Sequence, residues 1–417
     1  MAPVRILWVK ANKLLPARSG GDIRSYNILR QLARHHQVTL FSYYDGRPDS
    51  IYETELRQHF TNAVCVCTRK STNSHLKRGL DYLFHLPDSR PYAISRFSSF
   101  EVREKLASWY SNREFDVVVC DFLDAAINFP ELLTIPSVLF QHNVESEIWR
   151  RHAQTESNLA LKYFYSIEFR RMIRCERMIV RKFHHVIAVS EHDRELMARW
   201  RNPLQINVIP TGVEVALFKS AARQLTPQAL VVFVGAMDWE PNIDAAEFFC
   251  SEVLPRIQAK IPEVRFRIVG RNPGRRVQRL KGKSVEVTGT VPSVLNHLQE
   301  AAVVAVPLRV AGGTRLKIYE AMAAGKAVVS TSIGAEGLDV HHGRDVILAD
   351  TAAEFADAVV MLVSDESLRQ GYERAAVELV SQYDWPIVGE KFSHALQAAL
   401  EMTSESAGKE VVGGRGI

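Results

Sequence analysis

The sequence predicts an α/β protein made of two parallel sheets. Three observations carry this: two long blocks each begin with a short β-rich run, continuous apolar runs alternate with helically spaced ones, and a polar segment holding Pro227 separates the blocks. Strands covered on both faces read as unbroken apolar runs, as these do.

In the first block, Val4 to Val9 reads as a strand, followed by a Gly20-Gly21 turn. A helix through Ile23, Ile28, Leu29 and Leu32 and a strand over Val38 to Tyr43 come next. Further strands are predicted at residues 116–120, 137–141 and 185–189. The last runs into a helix over 190–197, with Ser190 as N-cap and Glu191 and Asp193 in its first turn. The second block restarts at Ala229 with ALVVFVG and repeats the pattern at 264–270, 285–291, 303–307, 327–331 and 346–349. Composition puts the boundary at 220–228. Ligands of open α/β sheets bind beyond the carboxyl ends of the strands, so the loops after Val9, Gln141, Val234, Val269 and Pro307 are expected at a cleft between the halves. The polar, Gly-rich tail after Met402 reads as disordered.

The 417 residues are 47% hydrophobic and 24% charged, with a formal net charge of +5, which excludes a disordered chain or a small stapled scaffold. No apolar stretch approaches the roughly 18 residues of a membrane span. The N-terminus reads as a strand and not as a signal peptide, so a cytoplasmic location is expected. Five scattered cysteines (65, 67, 120, 175 and 250) form no C-x-x-C pair and are expected as reduced thiols. D-x-D and H-E-x-x-H are absent, as are the P-loop, the G-x-G-x-x-G fingerprint and G-x-S-x-G, so no metal or cofactor is expected.

The most informative stretch is GGTRLKIYEAMAAGKAVVSTSIGAEGL, residues 312–338. A glycine turn (Gly312, Gly313, Thr314) with Arg315 and Lys317 leads into a helix carrying Glu320. Backbone N–H groups at a helix start, with cations beside them, suit a diphosphate, and Glu320 could accept hydrogen bonds from a ribose diol. A glycine turn with a solvated charged helix start fits equally well on physics alone.

E-A-M-A-x-G-x-x-V-V, the glycine turn before it and G-x-E-G-L after it resemble the donor-nucleotide motif of GT-B glycosyltransferases, specifically retaining family 4 (group 1). Gly20-Gly21, VIAVSEHDRELM at 186–197, VIPTGVEVALF at 208–218, VVFVGAMDWEPN at 231–242 and FRIVGRNP at 266–273 agree in order and spacing. The resemblance implies two Rossmann-like domains facing a central cleft: an acceptor-side domain over 1–205 and a nucleotide-sugar domain over 206–380. A helix over 381–402 would return to the first domain, and 403–417 would form the disordered tail. It implies that Glu320 binds the ribose hydroxyls, that Gly20 and Gly21 approach the donor phosphates, that Gly235 belongs to the donor site, and that His142 lies near the transferred sugar. The usual first glutamate of the motif is replaced by Gly312, and the usual Arg and Lys after the first strand of the second domain by Ala236 and Pro241. Arg315 and Lys317 stand in as the cations. GxMxWxPN with GGTRLK resembles a subgroup linked to bacterial exopolysaccharide assembly.

The implied reaction moves a sugar from a nucleotide diphosphate sugar to a hydroxyl of a glycan or lipid-linked acceptor, with retention and without a divalent ion. A nucleotide-sugar epimerase and a catalytically inactive nucleotide-sugar-binding subunit are the alternatives. Asp22 and Glu145 are possible polar contacts, with helix capping or surface duty the competing role. Between Arg150 and Lys182, nine residues are Arg or Lys and three are acidic, interleaved with Tyr163, Phe164, Tyr165 and Phe169. Such a helix either contacts an anionic membrane at the inner face or packs on the first sheet with its arginines in solvent. No nucleic-acid motif accompanies the charge.

Arg315→Ala and Lys317→Ala should each lower nucleoside diphosphate affinity at least tenfold in calorimetric titrations; unchanged affinity in both would show that these cations do not replace the usual pair.

Overall fold

The computed structural model describes residues 3–17, 19–68, 88–219, 229–310 and 316–413, the side chains of 155, 219 and 403–413 excepted. The chain divides into two compact units, residues 1–210 with 388–417, and residues 211–387.

The first unit holds a seven-stranded parallel sheet. Its strands are β1 (Arg5–Ala11), β2 (Gln37–Tyr44), β3 (Ala63–Cys67), β4 (Val117–Asp121), β5 (Ser137–Phe140), β6 (His185–Ala188) and β7 (Ile206–Val208), in spatial order 3-2-1-4-5-6-7. Direction of travel reverses between β1 and β4, whose first links run to opposite edges. At such a switch point two loops part and leave room for a ligand. The register sets Lys10 opposite Asp121 at the carboxyl ends of these two strands. The helix after β1, α1 (Gly20–Leu32), starts where Ser19 Oγ accepts the Asp22 N–H, and it buries Ile28, Leu29 and Leu32.

The second unit repeats the plan with β8 (Leu230–Val234), β9 (Arg265–Val269), β10 (Val285–Val287), β11 (Val303–Val306), β12 (Ala327–Ser330) and β13 (Ile347–Leu348), in order 10-9-8-11-12-13. Its switch point lies between β8 and β11. All five cysteines are free thiols.

Several elements differ from the sequence reading. β3 and β7 were not expected: AVCVC is only half-buried along most of its length, and INV is too short to show a period. β10 ends at Val287, before the predicted Val291, because Gly289 turns the chain at φ 77°.

The stretch from 150 to 182 forms two helices, α2 (Glu145–Thr155) and α3 (Leu159–Lys182), packed against each other. Trp149 meets Phe164 and Tyr165, and His152 stacks on Tyr165 at 5.2 Å. α3 turns Met172, Cys175, Ile179 and Val180 inward, together with the carboxylates of Glu168 and Glu176. Two of the three acids of this stretch are thus buried, which leaves the arginines to dominate its outer surface. Among the described residues no helix is long and apolar enough to cross a membrane.

The last helix is Trp385–Gly413. It extends through 403–413, part of the segment expected to be disordered; Glu, Ala and Lys in that segment sustain helical backbone despite the polar composition. From Val388 on it belongs to the first unit, where Phe392 packs at 5.4 Å from Trp8 and 5.1 Å from Phe140. Gly389 permits this seating, since a Cβ there would lie 2.3 Å from the Gln31 Cβ.

Because Phe392 is fully buried between two aromatic rings, Phe392→Ala should destabilise the first unit by about 3–5 kcal/mol in chemical denaturation. A loss under about 1 kcal/mol would mean that this helix is not part of that core.

Candidate active site

The candidate residues fall into two groups, one at the carboxyl edge of each sheet. In the first unit they centre on Asp121, the last residue of β4, whose side chain is fully buried. Its Oδ1 accepts from His142 Nε2 at 2.6 Å, and its Oδ2 accepts from Trp8 Nε1 at 2.9 Å. Lys10 Nζ lies 3.4 Å from the same carboxylate and 3.3 Å from Asp22. Burial alone would raise the Asp121 pKa, but Lys10 and His142 outweigh it and hold the carboxyl well below the usual range. Burial likewise pulls Lys10 down, yet Asp121 and Asp22 leave it above its ordinary value. Asp22, read from sequence as a possible ligand contact or helix cap, is engaged in both directions, since Ser19 Oγ also lies 2.6 Å from its Oδ2.

His142 follows β5 and is held at both ring nitrogens. Arg24 Nη1 donates to Nδ1 at 2.8 Å. A guanidinium has no lone pair to accept with, so Nδ1 must be unprotonated. The single ring proton therefore sits on Nε2, where Asp121 accepts it. Burial, then the Arg24 and Lys10 charges against the pull of Asp121, lower the His142 pKa and keep the imidazole neutral. Phe140 and Phe122 flank the ring at 4.5 and 5.4 Å. Phe122 holds a left-handed φ of 75° directly after Asp121, a costly conformation for an aromatic residue and one found at sites that aim side chains. The arrangement gives His142 a fixed tautomer and orientation and leaves neither ring nitrogen free as a base.

The neighbourhood of His142 holds unmet hydrogen-bonding capacity. Gln141 Oε1 and Asn143 Oδ1 are buried acceptors with no partner among the described residues. Both would accept from hydroxyl groups. Glu176 on α3 accepts from Gln141 Nε2 and from the backbone N–H groups of Glu145 and Ser146, so a buried carboxylate caps α2. Burial and the Glu176 charge push Glu145 up to about 7, and burial with the Glu145 charge pushes Asp124 up to about 7. Gly21 lies close by. A Cβ there would sit 3.8 Å from the His142 ring, an ordinary contact, so packing within the protein does not demand this glycine.

In the second unit the loop after β8 and α4 (Leu316–Ala323) meet through Asn242. Asn242 Nδ2 donates to the Ala236 carbonyl at 2.9 Å, and its Oδ1 accepts from Lys317 Nζ at 2.8 Å. Lys317 also lies over the Phe233 ring, 4.8 Å from its centroid. Gly235 makes room for this: a Cβ would lie 2.7 Å from Asn242 Nδ2. A Cβ on Gly270 would in turn meet the Gly235 carbonyl at 1.6 Å. Gly235, expected to serve a ligand, thus first serves Asn242. Glu320, one turn beyond Lys317, is half-buried; burial raises its pKa and Lys317 lowers it. Gly312, Gly313, Thr314 and Arg315 lie outside the described residues.

Sequence reasoning missed Lys10, Arg24, Asp121 and Asn242. Lys10 and Asp121 close apolar strands and pair only through the β1–β4 register; Asn242 was visible in GxMxWxPN but without its partner.

Asp121 and His142 both have depressed folded-state pKa values. Their stabilising contributions are therefore present above the ordinary carboxylate and imidazole values and are lost as pH falls below them. In NMR titrations His142 should protonate below the ordinary pKa of about 6.5. The midpoint should fall further in Asp121→Asn and rise in Arg24→Met; shifts of the opposite sign would overturn the assigned tautomer.

Comparison with known proteins agrees with this architecture. The profile of glycosyltransferase family 4 matches residues 18–217, and that of glycosyl transferases group 1 matches residues 228–365. A phosphatidyl-myo-inositol mannosyltransferase of Mycolicibacterium smegmatis is 26% identical over 298 residues, 68% of this chain and 71% of its own. An uncharacterized 44.6 kDa protein in the cps region of Klebsiella pneumoniae is 22% identical over 272 residues, 62% of this chain and 68% of its own. The crystal structure of Anabaena HepE in complex with UDP-glucose superposes with a TM-score of 0.64 at 16% identity, covering 95% of this chain and 100% of that one, a likeness of fold. The chain is a glycosyltransferase of group 1, with the two Rossmann-like domains of the GT-B fold.

Proposed function

We propose that this glycosyltransferase moves a hexose from a nucleotide diphosphate sugar to a hydroxyl of a glycan or lipid-linked acceptor, with retention and without a divalent ion. The observation that carries this reading is the pairing of unmet acceptors with a locked imidazole: Gln141 Oε1 and Asn143 Oδ1 flank His142 at the carboxyl edge of the first sheet. Unpartnered buried acceptors suit a ligand rich in hydroxyl groups. The relatives support the substrate classes, since a mannosyltransferase acts on phosphatidyl-myo-inositol and HepE holds UDP-glucose. The relative in a cps region favours polysaccharide assembly as the setting.

On the second unit, Lys317 follows the glycine turn by three residues in the sequence, and Asn242 fixes the position of its ammonium. The leaving group is a diphosphate, so the barrier is lowered by cations placed before charge develops. That is the role assigned to Lys317 and Arg315, in place of a metal. Glu320 accepts from the ribose. His142, its ring nitrogens both occupied, is given a positioning and dipolar role beside the transferred sugar. Burial raises Glu145, Asp124 and Glu176 alike to about 7; Glu176 is engaged by Gln141 and the first N–H groups of α2, so Glu145 and Asp124 are assigned the acceptor's proton.

Membrane attachment is proposed through α3, whose Leu159 and Tyr163 are 82% and 70% exposed amid the arginines. The cytoplasmic face of the inner membrane is the proposed location. Flotation with vesicles containing phosphatidylglycerol should retain the protein at low salt and release it at high salt; a protein that stays free at low salt does not dock this way.

UDP-, GDP- and ADP-sugars should separate by thermal shift into one stabilising base and two inert ones. Slow hydrolysis of the stabilising donor should persist in excess EDTA, with retained anomeric configuration, and fall at least a hundredfold in Glu320→Ala. Binding without turnover on any donor would instead favour the inactive nucleotide-sugar-binding subunit.

A further inference from the structure

Trp239 is the most exposed of the six tryptophans, at 41%. An indole in water forgoes one of the largest burial gains that a side chain offers. Its backbone is nonetheless held on both sides. The Trp239 carbonyl accepts the N–H groups of Asn242 and Ile243 at 3.0 and 3.2 Å and so starts the helix Glu240–Phe248, while the preceding Asp238 accepts from Asn272 Nδ2 at 2.9 Å. The indole is thus carried on a fixed part of the loop that follows β8.

Two neighbouring loops add apolar surface. β8, β11 and β12 are adjacent in the sheet, and the loops that leave β11 and β12 expose Val310 at 41% and Ile333 at 40%. The three loops are tied together. Arg309, beside Val310, pairs at 2.5 Å with Asp244 of the helix that Trp239 starts, and Thr331 Oγ1 donates to the Leu308 carbonyl. Gly334 lets the turn that holds Ile333 seat against β11, since a Cβ there would lie 2.8 Å from the Val306 carbonyl. One aromatic and two aliphatic side chains therefore stand exposed on loops fixed to one another, at the carboxyl edge where open α/β sheets receive ligands.

The order of contacts sets which part of the donor this surface meets. Glu320, assigned the ribose, lies one turn from Lys317, assigned the diphosphate; Lys317 Nζ reaches Asn242, and the Asn242 N–H is bonded to Trp239. Ribose, diphosphate and hexose follow one another in the same order in a nucleotide diphosphate sugar. A hexose ring also presents a face of C–H groups, whose positive edges suit the negative face of an indole.

We propose that Trp239, with Val310 and Ile333 beside it, receives the apolar face of the transferred hexose and is a specificity-determining contact of the donor. This rests on the donor roles given above to Lys317 and Glu320. Calorimetry on the full chain compares UDP, GDP and ADP with UDP-glucose, UDP-galactose, GDP-mannose and ADP-glucose. Trp239→Ala should weaken the sugar conjugate that the wild type binds at least tenfold, while its bare nucleoside diphosphate changes less than twofold. Trp239→Phe, which keeps an aromatic face, should hold the conjugate within threefold. The conjugate, and not the bare diphosphate, should quench a tryptophan emission that Trp239→Phe lacks. Equal losses for conjugate and bare diphosphate would put the ring on the nucleoside and overturn the proposal, as would no loss for either. A wild type that binds neither class of ligand would overturn the donor reading of the second unit as well, so the two failures are distinct. Should Trp239→Ala fail to fold, conjugate quenching of equal size in the wild type and Trp239→Phe would overturn the proposal alone.

Discussion

A carboxylate with no water around it has to be matched by cations and donors, and the first unit is arranged around one such group. Asp121 ends β4 in full burial, and Lys10, Trp8 and His142 all reach it. The parallel register of β1 with β4 supplies Lys10, the chain after β5 supplies His142, and α1 supplies Arg24 to close the far side of the imidazole. Removing any one member leaves a buried charge or donor unpaired. Such loss is far more costly than the net value of the contact. The network therefore fixes one geometry where the two strands part, at the place where an open α/β sheet leaves space for a ligand.

The second unit holds its cation with a neutral group. Asn242 holds the loop after β8 with its amide nitrogen and Lys317 with its oxygen, so a single side chain sets the distance between loop and α4. The glycines at 235 and 270 are consequences of that close approach, since side chains at either would collide with Asn242 or with the neighbouring strand. Packing thus fixes the Lys317 ammonium before any ligand arrives. Preorganisation of this kind is what a reaction with a departing diphosphate requires.

Much of the fold was legible because buried parallel strands advertise themselves as unbroken apolar runs, and β1, β2, β8 and β11 were each found within a residue or two. β3 and β7 were not, being half-buried or only three residues long. Motifs in the sequence named Gly21, His142, Lys317 and Glu320 as candidates, and the structure places Gly21 near His142 and Glu320 one turn beyond Lys317. What stayed hidden were contacts made only by the tertiary fold: nothing local links Lys10 with Asp121, or Arg24 with His142. The basic stretch shows the same limit. Its charge count suggested a surface helix, but Glu176 within it turns inward to cap α2, a long-range contact with no signature in spacing.

The central claim is that Asn242 serves the nucleotide through Lys317. A double-mutant cycle tests it most directly, with nucleoside diphosphate affinity measured by calorimetry for Asn242→Ala, Lys317→Ala and the pair. If Asn242 acts by positioning Lys317, the double variant should bind no more weakly than Lys317→Ala alone. Full additivity of the two losses would contradict the account, because it would give Asn242 a role independent of the lysine it holds.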